Sequence, residues 1–508
     1  MAIASARKPK LLIAWGGEMS ERGLLGILKD DYLLLLIVLL GLALRIYDLA
    51  GESVWFDEAV SIYVSRLDFI EQIKWVAGQS KEGNPPFYYM VLHLWVPIFG
   101  DSEILSRLPS VIFGVLSIIF TYSIGRLLFG KRAGLLAALI MAVSFFQIRF
   151  SQEARGYTLM VFLALISCYS LLRMISGWKR RWAAAYILSS ALLCYTHYFG
   201  LFTILAQNIF CFTLFLRRGR AGGLGFTRWI LVQVILGVLY IPGFILLAGR
   251  FASVRESFWI PAPRYWYIYY YFKNYAGSVY MLVLLAGFAL LAIANSEKLR
   301  GIKGLKALLA PADEAAPVGE ITYGEKIYFL LLWIAVPVMV PFIISLAFAP
   351  IMVSRYAIVA SVGLYLLSSV GISAVNKRPV LYAVTAVVIL LSAAKLYIYY
   401  GGVEKHQWRE AIQEIESNAH SGDYVLVYPH FEDVTVKYYL KRDDLELVPV
   451  GDRFPSFPGM RTHDVWFIMQ AHTANRLRTV QGLSPEYDFI SESQYKRVDL
   501  FRLRKKRE

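Results

Sequence analysis

The chain has 508 residues, 57% of them hydrophobic, and a mean hydropathy of +0.51, too apolar and too long for a single soluble domain. Its formal net charge of +15 would suit nucleic acid, but the Lys and Arg lie in short loops between apolar runs, and no basic-aromatic nucleic-acid module is present. That placement fits the positive-inside bias and anionic head groups, so the composition reads as a polytopic α-helical membrane protein in contact with lipid and without a nucleic-acid partner.

The first thirty residues carry Arg7, Lys8 and Lys10 but no cleavable hydrophobic region with a small-residue cleavage site. Residues 1–30 are therefore expected to be a cytoplasmic segment, and the first span an uncleaved anchor. Apolar runs near the ~20 residues that a spanning helix needs lie at about 31–49, 107–126, 133–150, 156–173, 183–198, 199–216, 229–249, 279–295, 326–348, 356–374 and 379–400. Residues 85–100 are apolar yet short, aromatic and bounded by prolines. The basic loops are Arg126/Lys131/Arg132, Arg173/Lys179/Arg180/Arg181, Arg217/Arg218/Arg220/Arg228, Lys298/Arg300/Lys303/Lys306 and Lys377/Arg378. All five share the side of the basic N-terminus only if 85–100 does not cross. That segment is thus expected to be an interfacial or re-entrant helix within a first external loop of about 50–106. About eleven spans then make up a membrane domain over 31–400. Cys168, Cys194 and Cys211 fall inside apolar runs as packing residues, with no disulfide framework or zinc spacing.

From about 401 the texture changes. Residues 408–415 have helical periodicity, while 423–428 and 464–469 read as short buried strands. Residues 401–508 are expected to form a small soluble α/β domain, and an odd number of spans puts it on the extracytoplasmic side. The same topology gathers outside Asp57-Glu58, Gly83-Asn84-Pro85-Pro86, Ser151–Tyr157, Tyr195–Phe199, the loop Arg255–Arg264 and Ser354-Arg355-Tyr356. No internal repeat, Walker A pattern, dinucleotide fingerprint or HExxH motif occurs.

Each of these clusters has a bland and a chemical reading. Asp57-Glu58 is either a solvated helix start, where acids suit the first turn, or a general base toward an acceptor hydroxyl beside an acid that orients it, holds a metal or raises its pKa. Glu153 and Arg155 form either a structural ion pair or a working pair. In the second case Arg155 grips a phosphate with its planar fork, and Glu153 ligates a divalent cation of the Mg²⁺ or Mn²⁺ kind. His197, set among aromatic residues, is either a hydrogen-bonded structural histidine or a ligand or phosphate contact. Arg355 either snorkels to head groups or neutralises a leaving phosphate.

Read in order, Trp55-Phe-Asp57-Glu58-Ala, Asn84-Pro-Pro-Phe-Tyr-Tyr, Arg107-Leu-Pro-Ser, Ser151-Gln-Glu-Ala-Arg-Gly-Tyr157 and Thr196-His-Tyr-Phe199 make a combination that is specific where each motif alone is not. The chain resembles the family 39-type glycosyltransferases of the GT-C superfamily, relatives of the protein O-mannosyltransferases and of the aminoarabinose transferase that modifies lipid A. The resemblance covers about residues 31–200, with support from Ser354-Arg-Tyr356. It implies a GT-C fold in the plasma membrane and a polyprenyl-phosphate-linked sugar donor. It further implies inverting transfer at the extracytoplasmic face to a hydroxyl of a protein, lipid or glycan. The acid of the first-loop pair that it marks as base is Asp57, with Glu58 beside it. Arg155, Tyr157, His197 and Arg355 are the residues expected at the donor phosphate, and Glu153 at a metal. Many relatives have His-Pro-Pro where this chain has Asn84-Pro85-Pro86, so a role for that histidine does not carry over.

Two other classes make different demands. A transporter or flippase for lipid-linked saccharide predicts polar residues and Gly/Pro breaks at mid-span in paired halves, whereas here polar residues gather at span ends. A non-catalytic envelope scaffold has no need for converging acids and arginines.

Overall fold

The computed structural model of the chain describes residues 31–78, 84–256, 260–295, 321–451, 464–471 and 487–506. Segment 1–30, Gly83, the basic loop Lys298/Arg300/Lys303/Lys306 and residues 257–259 of the Arg255–Arg264 loop lie outside the described residues.

Apolar runs become helices, because a backbone in hydrocarbon must satisfy its N–H and C=O groups within its own segment. In chain order the first are α1 (Tyr32–Ile46), α2 (Phe56–Ser65), α3 (Phe69–Gly78), α4 (Phe87–Phe99), α5 (Glu103–Phe129), α6 (Lys131–Val143) and α7 (Phe145–Ser151). Next come α8 (Tyr157–Ser176), α9 (Arg180–Thr196), α10 (Gly200–Arg218), α11 (Phe226–Leu239), α12 (Ile241–Glu256), α13 (Tyr267–Ala276) and α14 (Val279–Ala294). The last apolar ones are α15 (Tyr323–Ala347), α16 (Val359–Ser373) and α17 (Arg378–Tyr400).

Every expected span falls on one of these helices or on a bent pair. Among the described residues, five helices are long and apolar enough to cross a membrane, or up to eight if each of three bent pairs is one span. The eleven expected spans include three that fall short of this measure. The helices α1 and α16 have 15 residues each, about 22 Å at 1.5 Å per residue, against the ~30 Å of a hydrocarbon core. The third, α9, opens on Arg180-Arg181. The bends have local causes. Between α13 and α14, which meet at 92°, Gly277 takes φ 85° and closes the first helix. Ser278 then caps the second by accepting the N–H of Met281 at 3.1 Å. Between α11 and α12, bent by 58°, Pro242 in the first turn of the second helix cannot continue the hydrogen-bond ladder of the first.

The fold divides into two compact units. One comprises Met1–Leu44, Ile112–Ile148 and Tyr157–Ala393; the other comprises Arg45–Val111, Arg149–Gly156 and Ala394–Glu508. The first is helical and membrane-like. In the second, α2, α3 and α4 pack together. The 13 residues of α4 reach about 20 Å, too short to cross alone.

The second unit also holds a mixed sheet with α18 (Trp408–Asn418) and α19 (Asp433–Tyr439). Its strands are β1 (Tyr424–Tyr428), β2 (Glu446–Pro449), β3 (Val465–Gln470), β4 (Tyr487–Tyr495) and β5 (Val498–Lys505), in the order β2-β1-β3-β5-β4. The pairs β1–β2 and β1–β3 are parallel, with Tyr424 opposite both Glu446 and Val465. The pairs β3–β5 and β5–β4 are antiparallel. Alternation along β1 and β3 splits the apolar residues between two cores. Val425, Val427, Trp466 and Ile468 pack with Trp408, Ile412, Ile415 and Val436. Leu426, Tyr428, Phe467 and Met469 pack with Phe501 and Leu503.

Candidate active site

Asp57 and Glu58 sit in the first turn of α2, where partial positive charge at the helix start favours acids. Neighbours on a helix point about 100° apart, so the two carboxylates meet different surroundings. Glu58 is wholly buried. Arg107 grips it with both arms, Nε to Oε1 at 2.8 Å and Nη2 to Oε2 at 2.9 Å. Lys405 Nζ donates to Oε2 at 2.9 Å, and the backbone N–H of Ala154 donates to Oε1 at 2.8 Å. Burial alone would raise the Glu58 pKa, but the charges of Arg107 and Lys405 and these hydrogen bonds outweigh it and lower the pKa from 4.5 to about 2. Arg107 spends its remaining N–H groups on the carbonyls of Leu49 (2.7 Å), Glu52 (2.9 Å) and Ser53 (3.2 Å), so one residue fixes the strip leading into α2.

Asp57 meets Arg155 instead. Its side chain is 15% exposed, and its Oδ2 lies 3.6 Å from Arg155 Nη2, an ion pair rather than a hydrogen bond. Arg155 Nη1 donates to the Asp57 carbonyl at 3.1 Å and to Ser61 Oγ at 3.4 Å, while its own carbonyl accepts from Ser110 Oγ at 3.2 Å. Arg155 is thus anchored at both ends with its guanidinium against α2.

Glu153 is buried, 3.9 Å from Arg149 Nε, and Arg149 Nη1 also lies 3.2 Å from Glu404 Oε2. A divalent ion takes several oxygens. Among the described residues, the group with carboxylate and imidazole atoms close enough to share an ion is His420, Asp423 and Asp464, just ahead of β1 and β3, which does not include Glu153. There Asp464 is held by Arg502 and Arg504, and Asp423 accepts from the N–H groups of His420, Asp464 and Trp466. The charged neighbour of Glu153 in this unit is thus the Arg149 guanidinium.

The other unit gathers the remaining expected residues. His197 ends α9, and its Nδ1 accepts the N–H of Phe199 at 3.1 Å, leaving the proton of a neutral ring on Nε2. Its ring lies 4.9 Å from Tyr356, 5.5 Å from Phe199 and 6.1 Å from Tyr157. The Arg355 guanidinium lies over the Tyr356 ring at 5.6 Å. Tyr275 Oη donates to the carbonyls of Ser354 (3.3 Å) and Ala357 (3.1 Å), fixing the strip that carries Arg355. A histidine donor, a cation and an aromatic wall suit a phosphate with an apolar attachment.

So Asp57, Glu58, Glu153 and Arg155 come together in one unit, and Tyr157, His197 and Arg355 in the other. Arg107 and Lys405 were missed as site residues. Arg107 belongs to a quoted motif, and a lone cation at the start of an apolar helix is a readable signal of a buried partner. Lys405 sits in a polar stretch 347 residues from Glu58 and gives no such signal.

Residues 83–246 match the family model described as dolichyl-phosphate-mannose-protein mannosyltransferase, about a third of the chain. YkcB of Bacillus subtilis (strain 168), named as a candidate mannosyltransferase, is 27% identical over 164 residues, 30% of this chain and 22% of that protein. The matching stretch thus spans less than a quarter of that relative. Among solved structures, ArnT from Cupriavidus metallidurans bound to undecaprenyl phosphate is similar with TM-score 0.57 and 14% identity, covering 92% of this chain and 97% of that one. Its apo state gives TM-score 0.58 at the same identity and coverage. The Archaeoglobus fulgidus oligosaccharyltransferase in complex with Zn and sulfate gives TM-score 0.53 at 14% identity, covering 90% and 72% of the two chains. At these identities the likeness is one of fold.

Proposed function

We propose that this chain, a multi-pass membrane protein with the GT-C glycosyltransferase fold, transfers a sugar from a polyprenyl-phosphate donor to an acceptor hydroxyl at the extracytoplasmic face of the plasma membrane. The sugar is mannose or another hexose or pentose, and the acceptor a protein, lipid or glycan. The match to a mannosyltransferase family model and the fold of an ArnT that binds undecaprenyl phosphate support that donor class.

The observation that carries the reading is the division of labour in one acidic pair. Glu58 is buried against Arg107, Lys405 and the Ala154 N–H, while Asp57 keeps partial exposure beside the Arg155 guanidinium. Asp57 is the general base. It takes the acceptor O–H proton as that oxygen bonds to the anomeric carbon and the carbon–oxygen bond to the lipid phosphate breaks, with inversion. Glu58 is then an orienting residue within the catalytic pair. Arg155 neutralises charge as the phosphate departs, and Arg355, His197 and Tyr157 are the other donor-phosphate ligands. A phosphate is already a good leaving group, so no strong general acid is required. Glu153, beside Arg149, gets no step; a divalent ion there would add a further charge on the phosphate side.

The test is to incubate purified protein with a panel of polyprenyl-phosphate sugars, with and without exhaustive chelation, and to follow release of polyprenyl phosphate. Release from at least one donor that survives chelation is expected. Loss on chelation with rescue by Mg²⁺ or Mn²⁺ would bring a divalent cation into the reaction, and no release from any donor would contradict the function.

A further inference from the structure

The sheet-bearing segment after α17 does more than follow the membrane helices: it grips the strip that carries Asp57. The Lys405 Nζ bond to Glu58 is joined by a second to the Gln152 carbonyl at 3.3 Å. The backbone N–H groups of Glu404 and Lys405 both donate to Glu52 Oε1, the latter at 3.1 Å. Three residues on, α18 continues the clasp. Arg409 donates to the carbonyls of Ala50 (3.0 Å) and Gly51 (3.2 Å) and to Glu103 Oε2 at 2.6 Å. Ser53 Oγ donates to Glu410 Oε2 at 2.9 Å. From α19, Tyr439 Oη accepts the N–H of Val54 at 2.6 Å and donates to Glu103. Val54, Ala59 and Ile62 pack beneath Val434, Tyr438 and Tyr439.

The electrostatics single out Lys405. Arg107 already neutralises Glu58 through two bonds, so a second buried cation adds desolvation cost that the carboxylate does not demand. What it adds is a tie between the C-terminal segment and the inner face of α2. We propose that Lys405 is a positioning residue, through which the sheet domain sets the rotation of α2 and so the aim of Asp57. This rests on the base assignment to Asp57 for its kinetic consequence, but not for its structural one.

Two readouts keep these apart. In full-length protein, Lys405→Met leaves the Glu58–Arg107 pair intact. Amide exchange over residues 56–61 should rise, and kcat should fall by about tenfold to a hundredfold, the scale of a misaimed catalytic group, with donor KM within about twofold. Lys405→Arg should recover both. Where Lys405→Met does not fold, Tyr439→Phe should raise exchange over 54–61 by releasing another strut of the same clasp. Wild-type exchange and kcat in Lys405→Met would overturn the proposal, as would an unrescued Lys405→Arg. Raised exchange without a fall in kcat keeps the clasp but removes its role in aiming Asp57. If the wild type moves no sugar, the exchange readout alone decides the clasp.

Discussion

Glu58 shows how one buried carboxylate can organise a loop. Its pKa is about 2 in the folded protein against an ordinary 4.5, so the folded state favours the charged form. Its contribution to stability is full above about pH 4.5 and is lost as the pH falls toward 2, in all about 3 kcal/mol. Glu58→Gln leaves Arg107 and Lys405 without their counter-charge, a loss of about 3–5 kcal/mol for a broken buried pair. The variant should melt well below the wild type near neutral pH, and the gap should close progressively below pH 4.5. A gap that stays constant with pH would contradict the assignment. The sequence made Asp57 and Glu58 legible together, because adjacent acids near a membrane boundary demand an explanation. It did not separate their roles, since these depend on which face of α2 meets Arg107 and Lys405.

Among the elements, the apolar helices were the most legible, because length and apolarity are what the bilayer selects. Their exact approach was not. At Gly371 in α16, an added Cβ would collide with the Phe288 carbonyl oxygen of α14, and at Gly134 in α6 it would lie 2.7 Å from the Tyr122 carbonyl oxygen of α5. Small residues let membrane helices close to backbone contact. Alanine normally favours a helix over glycine by about 1 kcal/mol, yet Gly371→Ala should destabilise by about 1–3 kcal/mol through overpacking. Gly287→Ala, with open space around it, should be neutral or slightly stabilising. Thermal unfolding in detergent checks both, and a Gly371→Ala protein as stable as the wild type would contradict the close contact. In the sheet, β1 and β3 were visible as short apolar runs. The charged β4 and β5 were not, because β4 is an edge strand and Arg502 and Arg504 of β5 spend their charge on Asp464.

For the whole molecule, the sequence carries an orientation argument that a fold by itself does not. Five basic loops share the N-terminal side only if 85–100 stays on one face, and the 13-residue length of α4 supports that reading. Ser102 is exposed in the loop after α4, and the three native cysteines are buried. Ser102→Cys in intact cells should therefore react with a membrane-impermeant maleimide. Protection until the membrane is opened would count against the reading in which 85–100 stays on one face. The association of the 50–106 loop with the C-terminal segment in one unit left no trace in the sequence, since its ties, such as Lys405 to Glu58 and Arg409 to Glu103, join residues more than 300 positions apart.

In the proposed mechanism Asp57 removes the acceptor proton. The most direct measurement is single-turnover sugar transfer by Asp57→Asn, beside the wild type and with the polyprenyl-phosphate sugar that the wild type uses. Normal membrane insertion and donor binding are expected, with transfer slowed by about 10²–10⁴-fold, the usual worth of a general base. Transfer at the wild-type rate by Asp57→Asn would contradict the base assignment.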